Sequence, residues 1–163
     1  EWTGGNHVIY LTHMNPPTPR FPRVLCGIAC SLALLMAVGH GYGHMQGWPE
    51  PASEDEATLI RLASEHQWVM FGERRTLQQV SDGFSWFFSV GLAGLAVGVA
   101  SIAMPRSTPA RIARRTCALG AAFCFLTVII GYGRWPSPPV VGVSVVGLAL
   151  LVSSVLFRAG RPA

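Results

Sequence analysis

The residues best suited to chemistry gather where the first long apolar segment ends. His40 and His44 are four residues apart, so they share one face wherever a helix continues that far. Two imidazoles at that spacing can ligate a transition metal, and Met45 follows directly. Asp82 stands at the head of the second apolar segment, at the depth of His40 if one segment leaves a membrane where the next begins. Glu65 and His66 fall between the two, and Tyr132 and Arg134 close the third segment on the same side. An ionisable residue near the edge of a span, facing a bundle interior, is a functional candidate. A plainer reading fits the same residues. Gly41 and Gly43 weaken a helix around the histidines, Tyr42 and Arg134-Trp135 suit a membrane interface, and the macrodipole alone favours Asp82 at a helix N-terminus.

Arg74 and Arg75 precede the second segment, where they could hold an anionic headgroup or a carboxylate, or pair with Glu73 or Glu65. The candidate ligand-binding set is therefore His40, Arg75 and Asp82, and the candidate metal ligands are His40 and His44. Cysteines form a second cluster. Cys26 and Cys30 lie one turn apart on the first segment, Cys117 and Cys124 two turns apart on the third. No Cys-x-x-Cys pair is present, and cysteine in a membrane helix is usually a small packing residue. They are expected to be reduced. The second, third and fourth segments contain no His, which argues against haem held between helices. There is no nucleophile elbow, P-loop, dinucleotide fingerprint or His-Glu-x-x-His, so no enzyme is expected and no cofactor is implied.

The elements that must position these residues follow from composition. Half of the 163 residues are hydrophobic and 12% are charged, against roughly 25% charged in soluble domains. A helix crossing a bilayer needs about 20 mostly apolar residues. Four stretches qualify, at about 24–42, 81–104, 112–132 and 140–157. The expected fold is all-α, an integral membrane four-helix bundle with a short extracytoplasmic helix between the first two spans. Pro105 ends the second span, Thr108 and Pro109 mark the start of the third, and Ser137-Pro138 the start of the fourth. Residues 1–13 match nothing that follows, and Met14 opens a more ordinary basic, Pro-rich lead. The chain then divides into an N-terminal extension (1–23), a transmembrane domain (24–158) and a tail (159–163). The lead could also begin a signal peptide, but the apolar run is long and 39–43 is a poor cleavage site.

All twelve basic residues are Arg, and the net charge is +4. The arginines fall at the ends of apolar segments, which suits membrane orientation better than nucleic-acid binding. Arg20 and Arg23 precede the first span, Arg106, Arg111, Arg114 and Arg115 fill the second loop, and Arg158 and Arg161 follow the fourth. The first loop instead holds Glu50, Glu54, Asp55, Glu56, Glu65 and Glu73. Both termini and the second loop are thus expected in the cytoplasm. Within the first loop, Ser53 and Glu56 read as a capping box, and Leu59, Leu62, Ala63, Val69 and Met70 continue a near-helical spacing to Phe71. Gly72 breaks that helix, and Thr76 can cap the next. Gly91, Gly94 and Gly98 give the second span a face that permits close backbone approach, as Gly39 and Gly43 do for the first.

Gly39-His40, Met70-Phe71-Gly72, Arg75-Thr76 and Gly83-Phe84 together resemble the recurrent pattern of an uncharacterised family of small four-helix bacterial membrane proteins. The resemblance covers Val24 to about Phe157. It departs at Gln78-Gln79-Val80-Ser81-Asp82, where the family pattern has an aromatic-rich stretch. It implies a fold and a place in the bacterial inner membrane, and carries over no activity. The leading expectation is a non-enzymatic binding or accessory subunit that contacts membrane lipids, alone, as a homo-oligomer or in a larger membrane complex. The alternative is a small transporter for a metal ion or a hydrophobic compound. The spans offer only serines and Thr127 as mid-membrane polar groups, which disfavours ion transport by one chain. An enzyme acting on lipid-soluble substrates through His40 and Asp82 ranks last.

Overall fold

A computed structural model of the chain describes residues 20–70, 72–133 and 137–159. In chain order it contains α1 (Arg20–Met45), α2 (Glu54–Glu65), β1 (Gln67–Met70), β2 (Glu73–Thr76), α3 (Leu77–Ala103), α4 (Ala110–Gly131) and α5 (Ser137–Ala159). Four helices, α1, α3, α4 and α5, are long and apolar enough to cross a membrane. At 22 to 27 residues and about 1.5 Å per residue they exceed a hydrocarbon core of roughly 30 Å. Each satisfies its own backbone hydrogen bonds internally, the condition a helix must meet in lipid. The four form a square bundle in which α1 packs on α3 and α5, and α4 packs on the same two.

The core alternates small and large residues around that square. Cys26 of α1 meets Cys117 of α4 across one diagonal, and Ala29, Ala33 and Ala121 are likewise essentially buried. Small side chains let the diagonal close until the sulfurs of Cys26 and Cys117 lie 3.6 Å apart. All four cysteines are buried free thiols. Val146, Leu150 and Phe157 of α5, with Leu92 and Val99 of α3, fill the space on either side.

The close approaches miss the glycine rows of α1 and α3 and fall at Gly120 and at Gly142 and Gly147, the two glycines that punctuate the fourth span. A Cβ built on Gly91, Gly94 or Gly98 of α3 meets nothing within 4 Å, nor does one on Gly39 or Gly43. On Gly120 it would stand 3.0 Å from Leu150 Cδ1 and 3.1 Å from Val99 Cγ2, and on Gly147 3.0 Å from Cys124 Cβ. A row of glycines permits contact without requiring it. The α4–α5 pair is pressed together at Gly120 and Gly147, and α1 presses on α5 as well, where a Cβ on Gly142 would run into the Met36 side chain.

The first loop also differs from expectation. Ser53 caps α2 as anticipated, accepting from Glu56 N at 3.2 Å, while Glu56 Oε2 accepts from Ala52 N at 2.7 Å. The helix then stops at Glu65 rather than continuing to Phe71, and an antiparallel hairpin follows. Trp68 and Val69 favour a strand, and their spacing in a short apolar run fits helix and strand alike. Gly72, at φ +85°, supplies the left-handed conformation that the turn between β1 and β2 needs. Thr76 caps α3 in a full capping box: Gln79 N donates to Thr76 Oγ1 at 3.2 Å, and Thr76 N to Gln79 Oε1 at 3.1 Å. At α4 the N-cap is Pro109 rather than Thr108, without a side-chain cap.

Arg23 has a role that its place before the first span did not announce. It is 7% exposed and reaches the end of α3. Nη1 donates to Ala103 O at 2.9 Å, to Met104 O at 3.0 Å and to Pro105 O, while Nη2 donates to Thr108 O at 3.0 Å. The last carbonyls of a helix have no partner within it, and the guanidinium fork answers several at once where the macrodipole is negative. Its carbon also lies 5.7 Å from the centre of the Phe157 ring. One side chain thus ties the start of α1 to the α3–α4 corner and the end of α5.

Candidate functional site

Beyond their contact at Gly120, on the side of the hairpin, α3 and α4 enclose with α5 a cavity of about 740 Å³. Its floor includes Leu92, Cys124 and Val143. Its walls are rich in aromatic rings: Phe84, Phe87 and Phe88 from α3, and Phe123 from α4. Phe84 and Phe87 are also largely exposed on the outside of the bundle, at 71% and 77%, so the cavity opens sideways between the two helices. Gly91 lines it without crowding, since no atom lies within 4 Å of a Cβ built there.

The polar groups lie near the hairpin end. Ser81 and Ser85 come from the first turns of α3, Thr127 from the last turns of α4, and His40 from α1. The His40 imidazole meets the Phe88 ring in a T-shaped contact, centroids 5.1 Å apart. That contact aims the imidazole at the cavity. Among the described lining residues none bears a formal charge unless His40 is protonated. An apolar cavity with a few convergent polar groups, of a size usual for small-molecule sites, is built to bind and orient.

His44 and His40, although on one helix face by their spacing, take different partners. His44 Nε2 lies 3.0 Å from Asp82 Oδ1, with the two side chains 20% and 40% exposed. Its ring also stands at 87° to Trp86, centroids 6.2 Å apart. Trp86 in turn packs where α1 has no side chain, at Gly41. The pair links α1 to α3 beside the cavity. Helical phase alone sets both histidines one turn apart, and the spacing of α1 and α3 sends one to Asp82 and the other to Phe88.

Arg75 stays apart from this group. It lies on β2 opposite Trp68, exposed, paired with Glu73 and donating to Arg74 O at 3.2 Å. Among the described residues no hydrogen bond or ion pair joins it to Asp82 or to either histidine. The expected set of His40, Arg75 and Asp82 is therefore not one cluster. Asp82 belongs with His44, His40 belongs with the cavity, and Arg75 belongs to the hairpin. Nor do any three His, Cys, Asp or Glu side chains among the described residues gather as metal ligands. His66 packs on Trp68 instead. Arg134 and Trp135 lie outside the described residues.

The sequence showed Thr127 and the span serines only as sparse mid-membrane polar groups, and it did not single out Ser81 or the phenylalanines as part of a site. A signal was present. Phe84, Phe87 and Phe88 with Ser81 and Ser85 recur at three- and four-residue steps along the head of the span, so they share a face. What that face meets depends on how far α4 stands away, which no local pattern states. No protein family, no characterised protein and no solved structure matches this chain.

Proposed function

We propose that this chain is a non-enzymatic integral membrane protein that binds a hydrophobic compound carrying a small polar group. The compound reaches the cavity sideways from the bilayer, passing between α3 and α4, and its polar group meets His40, Ser81, Ser85 and Thr127. The observation that carries this reading is the lateral, aromatic-walled cavity with its polar groups at one end. The resemblance to small bacterial four-helix proteins supports a bacterial cytoplasmic membrane as its location. The arginines support an orientation: Arg20, Arg106, Arg111, Arg114, Arg115 and Arg158 share the end away from the hairpin. By the positive-inside rule that end faces the cytoplasm, and the cavity lies in the outer leaflet.

Handing on of the bound compound, as an accessory subunit or a carrier would do, uses the same cavity. A metal carrier has less support, because His40 and His44 point to different partners. The test is extraction of the protein into lipid nanodiscs and mass spectrometry of what stays bound, wild type beside Gly91→Phe. The new ring fills the cavity, where nothing crowds it. A hydrophobic compound held by wild type and absent from Gly91→Phe is the expected result. Equal amounts in both would sink the proposal.

A further inference from the structure

The chemistry of the cavity wall narrows the class of compound. We propose that the ligand is an isoprenoid quinone, its ring among Phe84, Phe88 and Phe123 and one carbonyl accepting a hydrogen bond from His40. This inference rests on the binding function proposed above and deepens it.

Charge selects the head first. A fatty acid or phospholipid brings an anion, which in a low-dielectric site needs a cation or several donors. The described lining residues include no Arg, and Arg75, the basic side chain singled out for that task, is engaged with Glu73 on the hairpin. The described lining residues thus offer an anion no fixed cation, and what they suit is a neutral head. Hydrogen bonding selects it further. His40, Ser81, Ser85 and Thr127 each offer an N–H or O–H at one end of the cavity, where one ring carbonyl of a quinone can accept while the rest of the ring lies among the phenylalanines.

Wall composition points the same way. Four of the eight phenylalanines in the chain line this one cavity. A flexible acyl chain is served equally well by Leu and Val, which this bundle uses throughout its core. Phenyl rings add a preference for flat rings, through offset and edge-to-face contacts beyond the area they bury. Size agrees as well. About 740 Å³ holds a substituted ring with the first part of its tail, and the opening between α3 and α4 lets the rest run into the bilayer. Binding alone is inferred, and the ring keeps its oxidation state.

Two photoreactive probes test it in wild-type protein in phosphatidylcholine nanodiscs: an azido-quinone with a decyl tail and a diazirine-bearing hexadecanol. Sites of labelling are mapped by peptide mass spectrometry, with decylubiquinone, dodecanol or palmitate as competitor. The expected result is azido-quinone label on the α3 and α4 cavity residues, displaced by decylubiquinone at concentrations where dodecanol and palmitate displace none. His40→Leu is expected to weaken quinone binding about tenfold, the worth of one hydrogen bond. Hexadecanol label in the cavity that dodecanol and decylubiquinone displace equally would overturn the quinone and leave the binding function standing. Label from neither probe in the cavity would overturn both. The competition uses wild-type protein, so neither outcome depends on a variant folding.

Discussion

At the Arg23 end the bundle closes until two cysteine sulfurs from opposite helices lie 3.6 Å apart, whereas at the hairpin end α3 and α4 leave about 740 Å³ between them. The residues responsible differ in kind. The closed end is made of Ala, Cys and Gly120, with Phe157 and Leu150 as filler and one buried arginine bonding the corner. The open end is made of Phe, Ser and His, and Gly91 in its wall meets open space, although Gly41 and Gly142 nearby pack on Trp86 and Met36. One end of the fold is therefore committed to stability and the other is free to bind. The difference can be broken by substitutions matched across the two ends.

Arg23→Met should have the largest effect. It leaves several carbonyls at the end of α3 and at Thr108 without their donor in an apolar setting, a loss of about 3–5 kcal/mol. Chemical unfolding in detergent micelles measures it. Arg23→Lys should restore less than half, because one ammonium cannot span the carbonyls that the fork reaches. A stable Arg23→Met protein would mean that the closed end does not depend on this side chain. Phe157→Ala comes next, at about 3–4 kcal/mol for a side chain buried in the core. Its counterpart Phe87→Ala, at the open end, should stay within about 0.5 kcal/mol in the same assay. Equal losses would erase the distinction between the ends.

Glycines give a finer comparison. Gly120→Leu drives a side chain into Leu150 and Val99, an overpacking of about 2 kcal/mol, while Gly94→Ala should be neutral or gain up to roughly 1 kcal/mol through helix propensity. Thermal unfolding of the two variants ranks them, and a reversed order would refute the packing described. The smallest effect belongs to His44 and Asp82. A double-mutant cycle between His44→Ala and Asp82→Asn should show about 0.5 kcal/mol of coupling, the usual worth of a partly exposed pair. Zero coupling would leave the open end tied to α1 by packing alone.

How much of this was legible in the sequence depends on the range of the interaction. The four spans were, because twenty apolar residues in a row announce themselves, and so were Ser53 and Thr76, whose caps act over three residues. The hairpin was not: a four-residue apolar stretch around Trp68 and Val69 fits either period, and tertiary context decided. Arg23 was legible as a charge but not as a clamp, since counting arginines reports sign and side, not depth. His40 was found as a candidate, and its partner was not. Phe88 is 48 positions away, and only the α1–α3 packing brings the two together. For Arg75 the sequence offered both a ligand-binding role beside Asp82 and a pair with Glu73, and the strand that carries both residues takes the second.

The four buried thiols have a practical consequence. In the folded molecule all four thiols are closed to water, Cys124 beneath an apolar cavity, so a charged maleimide finds every wild-type cysteine silent until the bundle opens. The rate at which they become labelled then reports the rate of opening, a built-in clock for kinetic stability in a real membrane where denaturant titrations are hard to run. The same silence makes wild type its own background for single cysteines placed in the hairpin or the α3–α4 corner. Labelling such sites from one side of sealed vesicles would establish which end faces out without first rebuilding the core.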